Sequence, residues 1–570
     1  MAEPPEHLGP HEQGDAGILS GSTTLDPSES PLPPESAAPS AGLPAPPPSP
    51  RRQVLFAALL YAAAALVTQS GSPGLGDTDP YRHLAYADQL WRSGFTLRGH
   101  PFLPLTLLGD SGVDLWWGFH LLLVPFTPLG VLWGARVAGA LIAATAGGAL
   151  ALVMHRYGSA VVQRRAALFS LLPLGMSSVF VLRDALARPA HLTLPLLLVA
   201  LLAGAGEVAW GWAALAGALH LWLHLSAPLS PLFAGLGWLA AWSVGRRGPP
   251  KAVLASLCGL ALAALLRPDR AHFVQVAVQT NLGAMGLLSG GLLPHAGVEL
   301  SPPGLRLFFE ESGLGLLAVA AALLLSRGAQ GGRRVPGAAA VRRAVWLALG
   351  VALVLALRSA RFFDYSAPLL ALAAALHWPS PLPESAGVPW WRSRRAVRAA
   401  GAALALAGVL LFARSVEKAW TAGQQFVPPP QQVASFAAQV RAQVPPGALL
   451  FVDDLFLSCV LYAALPDYQY VGAYEPALLY LPHPALFWSW HHAVVEGVDC
   501  QEPTCAKSAP SAAAVARAVD RFSARWVVTS YPPGPFSMQT LLLRGSGEFA
   551  LAGRASGGAA DLFLWRRVLR

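Results

Sequence analysis

Residues 51–90 read RRQVLFAALLYAAAALVTQSGSPGLGDTDPYRHLAYADQL, and three features of that stretch set the architecture. A basic pair, Arg51 and Arg52, precedes an apolar run over residues 53–70 that holds no charged side chain. A bilayer core about 30 Å thick takes about 20 helical residues at about 1.5 Å each, so this run is long enough to cross. The basic pair directly before an uncleaved helix reads as a signal anchor with its N-terminus inside. Asp77 and Asp79 then stand at the far membrane edge, where an unpaired charge is costly and a cationic partner or a metal is expected.

Outward from this stretch the pattern repeats. Of 570 residues, 54% are hydrophobic and 12% charged, and the mean hydropathy is +0.47, which excludes an ordinary soluble protein. The expected spans are residues 53–70, 131–154, 165–182, 190–206, 210–226, 229–245, 252–266, 312–326, 344–358, 366–377 and 397–414. They make an α-helical polytopic membrane bundle of about 11 spans, N-terminus in and C-terminus out. The net charge of +9 comes almost wholly from Arg, since Lys occurs only at Lys251, Lys418 and Lys507. With one span assigned within residues 115–154, the Arg-rich connectors 155–165, 246–251, 327–343 and 392–398 all fall on one side. The opposite side gathers Asp77, Asp79, Asp88, Asp110, Asp114, Asp184, Asp269, Glu299, Glu310, Glu311 and Asp364, leaving only Glu207 and Glu384 with the arginines. The basic excess therefore reports topology, and no nucleic-acid partner is expected.

Residues 1–52, rich in Pro and Ser, form a disordered cytoplasmic tail, and 53–414 the transmembrane domain. Its first external loop is 71–130 and its long one 267–311. Within the first, DLWWGFHLLLVPF (114–126) reads as an amphipathic helix with Trp116 and Trp117 at the headgroups. Read instead as a short span, it would reverse every later loop. From residue 415 the composition becomes that of an extracytoplasmic α/β domain ending at 570. Helices are expected at 432–444, 455–464 and 512–522, and strands at 448–453, 468–473, 525–530 and 561–565, in a partly parallel sheet. Cys500 and Cys505 in CQEPTC are a disulfide or two free thiols, while Cys258 and Cys459 read as buried and inert.

The DTD triplet at 77–79 has the spacing of a divalent-cation site, or else Asp79 caps the helix that Pro80 opens. His220 and His224, spaced one turn apart, read as metal ligands or as interior hydrogen-bonding groups.

On these residues the chain resembles the GT-C class of membrane glycosyltransferases, especially the catalytic subunit of oligosaccharyltransferases. DPYRHLAYADQL is similar to the acidic opening of that family's first external loop, with Asp79 as the match. AGVELSPPGLRLFFEESG resembles the Glu motif of its long fifth loop through Glu299, and RSARFFDYSAPLLALAAA its Arg segment through Arg361. The segment 451–497 is similar to the external domain of bacterial relatives. Two departures stand out: the second external loop reads RDALARPAHL in place of an acidic pair, and no WWD motif is present, so asparagine-linked transfer is not expected.

The resemblance implies transfer of a sugar from a polyprenyl phosphate or pyrophosphate donor to an extracytoplasmic acceptor. Asp79 and Glu299 would hold Mg or Mn, Asp77 would act as base, and Arg361 would clamp the leaving phosphate. His83, Arg188 and His191 are further candidates for donor binding. Read on their own, Arg361 is equally a snorkelling side chain, Glu299 a solvated loop carboxylate, and Arg188 and His191 a helix cap. The Ala-, Gly- and Arg-rich usage points to a bacterium with a GC-rich genome, hence the inner membrane. A non-catalytic scaffold or a transporter handling lipid-linked glycans is the alternative.

Overall fold

The computed structural model describes residues 48–289, 302–326, 337–380, 390, 393–472, 475–505, 509–530, 537–545, 547–558 and 560–568. Residues 1–47 of the expected tail, Glu299 and Glu384 lie outside them.

The chain is mostly helical. Among the described residues, five helical runs can cross a membrane by length and composition: Pro50–Ser70, Trp117–Tyr157, Leu305–Ser326, Ala338–Arg358 and Arg394–Gln443. A sixth arises if the bent pair Ala166–Met176 and Ser178–Asp184 is one span. Shorter apolar helices accompany them, among them Pro189–Gly204, Gly211–Leu223 and Lys251–Leu265. Lipid is as apolar as leucine, so such helices meet where small residues admit a close approach. A Cβ on Gly147 would lie 2.3 Å from the Tyr61 ring, and one on Gly259 2.0 Å from the Ala214 carbonyl. The helix Phe363–His377 is buried from Phe363 to Leu376 and forms the centre of the bundle.

Three expectations change here. The stretch 165–182 is not one straight helix, because its two parts meet at 110° beside Ser177, whose backbone is extended. The break is stabilised by Glu311, which accepts from Ser177 Oγ at 2.6 Å, Ser178 Oγ at 2.5 Å and the Val179 amide at 3.0 Å. Glu311 is thus a buried cap and not a loop carboxylate. Next, the described part of 267–311 holds helix Arg270–Ser289 and the start of Leu305–Ser326. Finally, Trp116 is buried under the Arg82 guanidinium, 4.6 Å from it, and so does not reach the headgroups. Cys258 faces outward from the apolar helix Lys251–Leu265, and Cys459 is buried in helix Leu455–Ala464.

The last bundle helix, Arg394–Phe426, runs past residue 414, and helix Pro430–Gln443 follows. Five strands form one sheet: β1 Leu449–Val452, β2 Gln469–Tyr470, β3 Trp526–Thr529, β4 Phe549–Ala555 and β5 Leu562–Arg567. Their order is β2-β1-β3-β5-β4, with β1 parallel to β2 and β3, and β5 antiparallel to β3 and β4. Cys500 and Cys505 are bonded, which decides between the two readings of CQEPTC. The sheet region is tied to residues 89–102: the Phe102 ring stacks at 3.6 Å on Tyr462 of helix Leu455–Ala464, and Tyr462 Oη donates to Gln89 Oε1 at 2.5 Å. The Tyr470 amide also donates to the Phe102 carbonyl at 2.8 Å.

Candidate active site

Helix Asp79–Arg92 begins with Asp79 and Pro80, and Thr78 supplies no side-chain cap. The orphan amide of Asp79 donates instead to Asp77 Oδ1 at 3.1 Å, so Asp77 and not Asp79 does the capping. Arg188, at the start of Pro189–Gly204, reaches across to this turn, pairing with Asp77 and lying 3.4 Å from Asp79 Oδ2. Arg82, one turn into the helix, lies 3.8 Å from Asp79 Oδ1. Two carboxylates are thus balanced by two guanidiniums. The Asp77 and Asp79 side chains are 20% and 24% exposed, against 1% and 7% for Arg82 and Arg188, so a ligand meets the carboxylates first.

Behind Arg82 runs a buried chain of hydrogen bonds whose direction is fixed by its ends. Asp114 as a carboxylate only accepts, so His120 Nδ1 donates to it at 2.7 Å and His120 Nε2 is left to accept. His83 Nδ1 then donates to His120 at 2.8 Å, and His83 Nε2 accepts from Arg82 Nη2 at 3.0 Å. Both histidines are neutral in this arrangement, and burial together with Arg82 holds His83 well below its usual pKa. His100, 3.7 Å from Asp114, is lowered by burial to about 4. Burial raises the Asp114 carboxyl, but His120 and His100 overcome this and hold it well below the usual range. Arg267 closes the network, pairing with both oxygens of Asp269 at 2.8 Å and donating to the Asp114 carbonyl. The sequence offered Asp114 and Asp269 only as loop carboxylates, and Arg82 and His120 passed unremarked.

A second cluster is fully enclosed. Asp364 Oδ2 lies 3.0 Å from Arg183 Nε, an ion pair, and His191 lies between Asp184 at 3.2 Å and Asp364 at 3.7 Å.

No family model matches the chain, and no curated protein does. Solved structures do match. ArnT from Cupriavidus metallidurans bound to undecaprenyl phosphate is 16% identical with a TM-score of 0.50, covering 91% of this chain and 98% of its own. The Archaeoglobus fulgidus oligosaccharyltransferase in its apo form gives 12% and 0.53, over 84% of this chain and 69% of its own. Arabinofuranosyltransferase AftD from Mycobacteria, in a mutant form, gives 17% and 0.50, over 92% and 42%. The fold is GT-C-like.

Within this GT-C-like fold the expected site residues separate. Asp77, Asp79 and Arg188 come together. His83 is buried in the relay and His191 in the enclosed cluster, so neither presents a face to a donor. Arg361, in the short turn Ala360–Phe362, pairs with Glu475 of the α/β segment at 3.1 Å. His220 bonds Ser230 and Ser226 at 2.8 and 2.9 Å, and His224 lies beyond the helix end in extended backbone, bonded to Ser226 at 2.7 Å. The hydrogen-bonding reading of these two histidines therefore holds, not metal ligation. A divalent ion fits the carboxylates of the DTD turn chemically, as hard oxygen donors. Arg188 and Arg82 already balance their charge, so an ion fits only together with an anionic group that draws Arg188 away.

Proposed function

We propose that this chain is a membrane glycosyltransferase that moves a sugar from a polyprenyl-phosphate-linked donor to an extracytoplasmic glycan, lipid or protein. The observation that carries the reading is the Asp77, Asp79, Arg82 and Arg188 constellation at the exit of the first span, with acids outward and arginines behind. The donor phosphate takes Arg188, which releases Asp79, and Arg361 exchanges Glu475 for the same phosphate. Mg or Mn would be held by Asp79 with Glu299 and would supply charge neutralisation at the leaving phosphate. Asp77 holds Arg188 and the helix start, and it takes the acceptor proton once Arg188 has moved. Arg82 stays fixed by its relay and by Trp116, keeping a positive charge beside Asp79 throughout.

The same proposal includes eleven spans, with the Arg-bearing connectors in the cytoplasm of a bacterium, the tail 1–52 beside them, and the domain 415–570 outside. Contacts at the connectors support it: Tyr157 Oη and Arg246 Nη1 meet on the Glu207 carboxylate at 3.3 and 2.7 Å, and Gln53 bonds the Arg164 carbonyl at 3.3 Å. Reporter fusions after Tyr157 and Gly248 are expected inside, and those after Gly109 and Gly423 outside; an outside signal after Gly248 overturns the topology. For the activity, deletion of the gene is expected to accumulate one lipid-linked glycan, which the wild-type chain but not Asp79→Asn consumes. A scaffold is favoured by the missing acidic pair in RDALARPAHL, and consumption restored equally by both chains would select it.

A further inference from the structure

The helix Arg394–Phe426 is the least embedded in the bundle: Leu406 and Val409 on it are 62% and 64% exposed. It approaches its neighbours closely at a crossing near Gly408, where a Cβ on Gly175 would lie 2.5 Å from Gly408 Cα, and again near Trp420, whose Nε1 donates to the Val67 carbonyl at 3.2 Å. Away from that crossing a crevice of about 1010 Å³ separates it from helix Pro50–Ser70 and the residues 161–175. Its walls are Leu, Ala, Val, Gly and aromatic side chains, and among the described residues its charged lining groups are Arg164, Arg165 and Arg398, with no carboxylate. All three are exposed and gather at one end. Phe169, one turn after Arg165, packs on Trp378 at 5.8 Å, and Trp378 lies beside Gly401, one turn after Arg398. From residue 397 to 412 the crevice follows about 22 Å of helix, which exceeds the depth of about 15 Å available in one leaflet.

An apolar crevice of this size inside a bilayer is filled by hydrocarbon, and a purely cationic rim selects the headgroup. We infer that the crevice is a binding site for an anionic phospholipid, its phosphate at Arg165, Arg398 and Arg164 and its acyl chains along the Arg394–Phe426 helix. The inference is independent of glycosyl transfer, and it concerns the connector end and not the end that bears Asp79. A bound lipid fixes the helix that leads into the external domain, so occupancy raises the stability of the whole chain by mass action.

The test uses the full chain in nanodiscs of phosphatidylcholine with increasing phosphatidylglycerol of the same acyl composition, read by thermal melting and by native mass spectrometry. Phosphatidylglycerol is expected to raise Tm and to remain bound, with Arg165→Ala and Arg398→Ala each lowering the preference for it about five-fold. Arg247→Ala, an exposed connector arginine away from the crevice, is expected to leave the preference unchanged. Ala405→Phe, which fills the crevice, is expected to reduce retention of both lipids. Equal effects of the two lipids, equal loss in the Arg247 and Arg165 variants, or displacement of phosphatidylglycerol by a polyprenyl phosphate overturns the assignment. The last outcome gives the crevice to a donor tail.

Discussion

Two of the charge clusters among the described residues are built from similar groups and differ in exposure. One sets Asp77 and Asp79 against Arg82 and Arg188 with the acids partly in solvent. The other encloses Arg183, Asp184, His191 and Asp364. In the enclosed cluster each charge has only its partners to replace lost hydration, so removing one leaves another buried and unpaired. In the open cluster water reaches the carboxylates, and an amide in place of one keeps a hydrogen-bonding group beside the buried arginines, so the fold is expected to tolerate that change. Exposure, more than residue type, separates a site from a staple.

The sharpest way to break this comparison is Asp364→Ala, which leaves Arg183 without its 3.0 Å partner. It is expected to destabilise the fold by about 3–5 kcal/mol, read as a lost melting transition or a poor folded yield. Asp79→Asn is expected to keep stability within about 1 kcal/mol while lowering glycan transfer by about 10²–10³-fold. If Asp79→Asn melts like Asp364→Ala, the open cluster is a staple too.

Acid probes the relay behind the open cluster. His100 titrates near 4 when folded against about 6.5 unfolded, so between those values the unfolded chain binds more protons. Stability is therefore complete at higher pH and falls as pH drops through that window; the lowered Asp114 extends the loss in the same direction. At about 1.4 kcal/mol per unit, the His100 contribution is about 3 kcal/mol at most. Tm at pH 7.5 and pH 5 is expected to differ less in His100→Gln than in the wild type; an equal difference removes His100 as the cause.

How much of this was legible in the sequence depended on range. The helix at residues 455–464 and the strands around 449–452 and 526–529 were read correctly, because apolar runs between polar turns report local burial. Strand β4 was missed, since FALAGRA holds no β-branched residue and its pairing with β5 is the cause of its extension. Asp79 and Arg188 were picked out separately, but no local pattern reveals that an arginine 109 residues later closes on the DTD turn. His191 and His83 failed for the same reason: their spacing is compatible with a site, and only packing shows that both are interior.

Charge balance gives a coupling that sharpens the open cluster further. Asp77 and Asp79 already have Arg188 and Arg82 beside them, so a divalent ion competes with those guanidiniums, while a donor phosphate that draws Arg188 away leaves Asp79 open to the ion. Each should therefore tighten the other, by the same factor and on the scale of about 5–150-fold usual for coupled sites. Mn²⁺ titrations followed by electron paramagnetic resonance, with and without polyprenyl phosphate, measure it. Equal Mn²⁺ affinity in the two titrations disproves the coupling.

The smallest expected effect on stability belongs to Arg361, whose 3.1 Å pair with Glu475 is 31% and 21% exposed. Such a pair contributes about 0–1 kcal/mol, so neither Arg361→Lys nor Glu475→Gln should shift Tm measurably. Their effects on transfer should be opposite in origin. A lysine keeps the charge but loses the planar fork that grips two phosphate oxygens, so Arg361→Lys weakens transfer, chiefly as a higher KM for the donor. Glu475→Gln removes the carboxylate that competes with the donor for Arg361, so it should lower that KM. If instead Glu475→Gln impairs transfer as much as Arg361→Lys does, the pair serves to hold the α/β segment on the bundle, and the arginine is a staple and not a clamp.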